Sequence, residues 1–105
     1  MNELASLTAV RGEEHTTLVL EGEVDASNAE ALLRRMQGLL DAPTVTLDLA
    51  GVGYLDSAGI RALYGLAESA ALRGASISVV VPRHSPIRRV LDVSGVRAVL
   101  TVDEA

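Results

Sequence analysis

Leu47-Asp48-Leu49-Ala50-Gly51-Val52-Gly53-Tyr54-Leu55-Asp56-Ser57-Ala58-Gly59-Ile60 decides the fold of this chain. Its first residues extend an apolar run that begins at Val45, the pattern of a buried strand. Gly51 and Gly53 predict a bend after Leu49. Asp56 and Ser57 then open a helix whose apolar spacing persists to about Arg73. Ser57 is thereby expected on a short exposed turn, at a helix N-terminus and beside a carboxylate. The turn holds no second Ser or Thr, so a modification there has a single acceptor.

The same helix can be read as a surface. Each residue turns the helix by about 100°, so Arg61, Tyr64 and Glu68 return to nearly the direction of Ser57. Gly59, Ile60, Leu63, Leu66, Ala67 and Ala70 gather on the opposite side and are expected to face a sheet. Gly65 lies at the edge of the polar stripe, where a missing side chain would admit a partner's backbone. An ordinary solvated face is the plain alternative; the stripe gains weight by sharing its line with Asp56 and Ser57.

On the N-terminal side, Ser6 to Arg11 and Thr16 to Glu21 predict two strands of an antiparallel hairpin turning at Gly12-Glu13-Glu14. Ser27 with Glu30 is a capping-box pattern, predicting a helix to Leu39 that buries Ala29, Ala31, Leu32, Met36 and Leu39. Pro43 ends that connection before the strand at Val45. On the C-terminal side, Arg73-Gly74 is a helix stop. Ile77 to Val81 is a strand closed by Pro82. Ser85-Pro86 opens a short helix to about Val93, Gly95 closes it, and a last strand is expected near Val99 to Val102. The order β-β-α-β-α-β-α, with a final β, predicts a small α/β domain: a mixed sheet of four to five strands with helices packed on it.

Composition removes several classes of function. At 105 residues the chain suits one domain, with a core spanning about residues 7–102, and 49% apolar content argues against disorder. Tyr54 and Tyr64 are the only aromatics, too few for a base-stacking platform, and a net charge of −5 leaves no footprint for phosphate backbones or anionic membranes. The basic pairs Arg34-Arg35 and Arg88-Arg89 are expected on solvated helix faces. Without cysteine there are no disulfides, thiolate metal sites or thiol nucleophiles. The sequence shows neither a signal segment nor an apolar run of the ~18 residues a membrane span requires, so a soluble cytoplasmic protein is expected. No metal or cofactor is expected.

Four roles compete for Ser57. As a helix cap, Asp56 or Ser57 would stabilise the helix by about 1 kcal/mol. As a nucleophile, Ser57 lacks the glycine two residues earlier that a nucleophile elbow needs, since Leu55 stands there, and nothing places His15 or His84 beside it. As a nucleotide site, Gly51-Val52-Gly53 is an incomplete fingerprint, Asp56 opposes a pyrophosphate, and the chain has no lysine. As a phosphoacceptor, Ser57 is physically well placed: a helix N-terminus offers N–H groups and a positive dipole end to a phosphate. Asp48 reads as structural, at a strand end, and His84 as a solvated loop residue.

With those residues in view, the chain resembles a STAS domain of the bacterial anti-sigma factor antagonist (anti-anti-sigma factor) family from about Leu7 to Val102. The resemblance rests on Leu20-Glu21-Gly22-Glu23-Val24-Asp25, on Leu47-Asp48-Leu49 leading into Tyr54-Leu55-Asp56-Ser57-Ala58-Gly59-Ile60, on Val79-Val80-Val81-Pro82, and on Ile87 to Val96, in that order. It implies that Ser57 matches the serine phosphorylated by an anti-sigma factor that is also a serine kinase. In that family the unphosphorylated form binds the kinase and frees a sigma factor, phosphorylation dissolves the complex, and a PP2C-type phosphatase restores it, and the resemblance implies the same partners here. Asp25 matches an acidic position near the same face. The expected partner surface comprises Asp25, Asp56, Ser57, Ala58 and Gly59, continued by Arg61, Tyr64, Gly65 and Glu68. Ala58 stands where many relatives carry a second Ser or Thr. Two alternatives stay open: an accessory subunit of another assembly, such as a lipid-transport ATPase complex or a stressosome-like sensor, and a small-ligand or nucleotide-binding module.

Overall fold

Every strand of the computed structural model, which describes residues 4–104, belongs to one five-stranded sheet. The elements are β1 (Ala5–Val10), β2 (His15–Val24), α1 (Ala29–Gln37), β3 (Thr44–Leu55), α2 (Ser57–Arg73), β4 (Ser76–Val80), α3 (Arg88–Val93), a 3₁₀ turn (Val96–Ala98) and β5 (Thr101–Asp103). The strands lie side by side in chain order. β1 and β2 form the expected antiparallel hairpin, and the remaining pairs are parallel. Leu18, Leu20 and Val24 of β2 meet Val45, Leu47 and Leu49 of β3 in one core, covered by Leu32 and Met36 of α1, Leu63 and Leu66 of α2, and Leu91 of α3. On the opposite side of the sheet Thr17, Val19, Thr46, Asp48 and Ser78 are only half-buried. The result is the mixed α/β architecture expected, with five strands.

β3 departs most from expectation. The predicted break at Gly51-Val52-Gly53 is absent, and the strand continues without interruption to Leu55. Its pairing with β2 slips between Val19 and Glu21 and again between Gly22 and Glu23, each slip adding one residue to β3. A bulge of this kind rephases the strand. The buried positions accordingly change from alternate residues (Val45, Leu47, Leu49) to every third residue (Val52, Leu55). Asp48 sits at the first slip, not at a strand end, and its carboxylate accepts the Ala50 N–H at 2.9 Å. β2 likewise outruns its predicted end and reaches Val24. Gly22 makes this possible with φ +104°, and a Cβ there would lie 2.2 Å from the Leu4 carbonyl oxygen.

Elsewhere the differences lie at element ends. The Ser27/Glu30 capping box does not form. Ser27 donates both its N–H and its hydroxyl to Asp25, Glu30 pairs with Arg34, and α1 follows Asn28. In α1, Ala29, Leu32 and Met36 are buried as predicted, but Ala31 is exposed, and the helix stops before the half-buried Leu39. α2 matches prediction at both ends, with Gly74 as its left-handed C-cap. α3 starts at Arg88 because Ser85 closes a turn on the Ile87 N–H instead of capping a helix. Arg88 is not a solvated cation: its side chain donates to the Val81 carbonyl and pairs with Glu104. The 3₁₀ turn after Gly95 delays the last strand to Thr101–Asp103.

Candidate functional site

The second slip of β3 turns Leu55 into the core and leaves Asp56 as the single residue between strand and helix. Asp56 is extended (φ −103°, ψ −167°), and its Oδ1 accepts the N–H groups of Ala58 at 2.9 Å and Gly59 at 3.3 Å. Its own carbonyl accepts the Ile60 N–H at 3.0 Å, the first bond of α2. Asp56 is therefore the cap, and the choice the sequence left open between Asp56 and Ser57 is decided by geometry. Ser57 becomes the first helical residue. It is exposed, and among the described residues its hydroxyl has no hydrogen-bond partner.

That arrangement changes one expectation. Two of the N–H groups that a phosphate was expected to meet are already taken by the Asp56 carboxylate. A phosphate on Ser57 would be accommodated by its exposure to water, with Arg61 one helical turn further along the same face. Arg61 is exposed and makes no ion pair among the described residues.

The loop after β2 forms the other wall. Asp25 accepts the Ser27 hydroxyl at 2.5 Å and the Ser27 N–H at 2.8 Å, while the Asp25 N–H donates to Asn28 Oδ1 at 3.0 Å. The Ser27 hydroxyl above all, then the Ser27 N–H, holds the Asp25 carboxyl below its ordinary range. Asp25 and Asp56 line one open cleft with Glu23, Ser27, Gly53 and Tyr54. Glu23 and Tyr54 were not anticipated in the site. Their signal was the phase of β3, which shows only once the bulges are known. The cleft carries three carboxylates and a half-exposed phenol.

The remaining expected residues divide into groups. Ala58 and Arg61 line a shallow depression between α1 and α2, together with Ala26, Glu30 and Leu33. Tyr64, Gly65 and Glu68 border a groove closed by Val99. Tyr64 is also tied inward, its hydroxyl donating to the Ser94 carbonyl at 3.1 Å. The space beside Gly65 belongs to the chain's own Leu33, which a Cβ would meet at 2.9 Å. Gly59 is buried under Leu55 and Val24, so its part is to let α2 pack and not to touch a partner. Ser57, Arg61, Tyr64 and Glu68 share the exposed stripe as read from the sequence.

Comparison with known proteins places this geometry. The family model described as "Mlab, STAS domain" matches residues 7–102, and the chain belongs to the STAS domain family. Its fold is that of an anti-sigma factor antagonist from Mycobacterium paratuberculosis, with a TM-score of 0.81 at 20% identity over 94% of this chain and 85% of that one. The unphosphorylated anti-sigma factor antagonist SpoIIAA gives a TM-score of 0.77 at 16% identity, covering 95% of this chain and 88% of that one. The phosphorylated form of SpoIIAA from Bacillus gives 0.69 at 17% identity, covering 95% and 91%.

Proposed function

We propose that this chain is a non-enzymatic anti-sigma factor antagonist switched by phosphorylation of Ser57. Unphosphorylated, it binds an anti-sigma factor that is also a serine kinase and thereby releases a sigma factor. Transfer of phosphate to Ser57 ends the complex, and a PP2C-type phosphatase reverses the step. One observation carries the reading: Asp56 performs the capping, so the Ser57 hydroxyl is left exposed and without a structural duty. The fold shared with antagonists in unphosphorylated and phosphorylated forms supports it.

The switch follows from charge. Phosphate adds about −1.5 to −2 charge, next to a cleft that already holds Glu23, Asp25 and Asp56. A partner closing over neutral Ser57 tolerates a hydroxyl; closing over the phosphate means burying an unpaired dianion, at a cost of several kcal/mol. Each 1.4 kcal/mol is tenfold in affinity, so release needs no change of fold. Calorimetry with the cognate kinase is expected to show Ser57→Asp binding at least about tenfold more weakly, with Ser57→Ala close to the parent. Equal binding by both variants and the parent contradicts the switch.

A second reading keeps the surface and changes the partner: an accessory subunit of another assembly, such as a lipid-transport ATPase complex. The description of the matching family model, which is not that of an antagonist, favours it. Affinity purification from the native cell separates the two. A small kinase recovered with the chain supports the first reading, a transporter ATPase the second.

A further inference from the structure

β1 is the outermost strand of the sheet, and half of its backbone is unused. The Leu4 carbonyl accepts the Glu23 N–H at 2.9 Å. In an antiparallel pair, one residue points both its N–H and C=O toward the neighbour and the next points both away. Ser6, Thr8 and Val10 therefore serve β2, while Ala5, Leu7 and Ala9 turn their N–H and C=O groups outward. The reach of Arg35 Nη2 to the Leu7 carbonyl, at 3.4 Å, agrees with this phase. Ala5–Val10 contains no charge and no proline, the devices that normally blunt a free edge. In phase with its outer face stand two exposed apolar side chains, Leu4 (46% exposed) and Val10 (65%).

We propose that this edge recognises a second copy of the chain, the two β1 strands pairing antiparallel about a two-fold axis at Leu7. In that register Leu7 faces the second copy's Leu7, Ala5 faces Ala9, Ser6 faces Thr8, and Leu4 faces Val10. Every outward residue on both strands then donates and accepts a hydrogen bond; moving the register by two residues leaves some unpaired. Leu4 and Val10 cover each other twice, once on each side of the axis. The exposed Arg35 side chain must swing off the Leu7 carbonyl as the second strand arrives. One short edge falls below the roughly 1,000 Å² of a stable interface, so the dimer is reversible. β2 separates this edge from β3, the strand that delivers Ser57.

Sedimentation of the full chain between about 10 and about 500 µM tests this. The mass is expected to rise with concentration from 11.0 kDa toward twice that value. Leu4→Glu with Val10→Glu places like charges opposite each other and is expected to weaken association at least about tenfold. Leu4→Glu with Val10→Arg places unlike charges there and is expected to restore it to within about threefold of the parent. Ala9→Pro removes an outward N–H that the β1–β2 ladder does not use, so the fold is kept and the dimer lost. A parent that stays at 11.0 kDa throughout, or a doubly glutamate-substituted chain that dimerises like the parent, overturns the proposal. Failure of the Glu/Arg pair to recover association overturns it too, because that pair reports the register.

Discussion

Asp56 and Ser57 divide two tasks that either could have performed. With the carboxylate holding the Ala58 and Gly59 N–H groups, Asp56→Ala is expected to cost about 1 kcal/mol in urea unfolding, whereas Ser57→Ala should leave the unfolding midpoint unchanged. A hydroxyl that stabilises nothing can be esterified without unfolding the helix it heads. Asp25 supplies a second test at this scale. Its hydrogen bonds from Ser27 favour the charged form, so its folded pKa lies below the ordinary 3.8. The resulting stabilisation is complete above the unfolded value and is lost as pH falls through the lower, folded value. An NMR titration of the Asp25 carboxyl is expected to show that depressed midpoint, and Ser27→Ala should move it back up.

At the scale of elements, α2 was legible from end to end because its signals are local: a capping residue, a 3.6-residue apolar period and a glycine stop. β3 was not. Gly51 and Gly53 are equally compatible with a bend and with bulges, and only pairing with β2 decides between them. The Ser27/Glu30 pattern failed for a related reason, since the Asp25 carboxylate competes for Ser27 from outside the motif. Close packing at the junction makes its own prediction. A Cβ on Gly59 would lie 2.2 Å from Leu55 Cδ1, while one on Gly53 meets nothing within 4 Å. Gly59→Ala is expected to lose roughly 1–3 kcal/mol of stability and Gly53→Ala less than about 0.5 kcal/mol, both read from chemical denaturation.

For the molecule as a whole, the order of elements along the chain, the mixed sheet and the exposed stripe of Ser57, Arg61, Tyr64 and Glu68 follow from sequence periodicity. The acidic cleft does not. Glu23 and Tyr54 join Asp25 and Asp56 because β2 and β3 both run past their predicted ends and stay paired at Glu23–Tyr54. Gly59 and Gly65, grouped with the partner surface from the sequence, turn out to serve packing against Leu55 and Leu33. What remains is an exposed hydroxyl set beside a cluster of negative charge; under the proposed function, one phosphate added there changes what a partner can bury. Phosphosite mapping by mass spectrometry, after incubating the parent chain and Ser57→Ala with ATP and the cognate anti-sigma kinase, tests this most directly. The account predicts stoichiometric phosphate on Ser57 of the parent and none anywhere on Ser57→Ala; phosphate on another residue, or an unmodified parent, contradicts it.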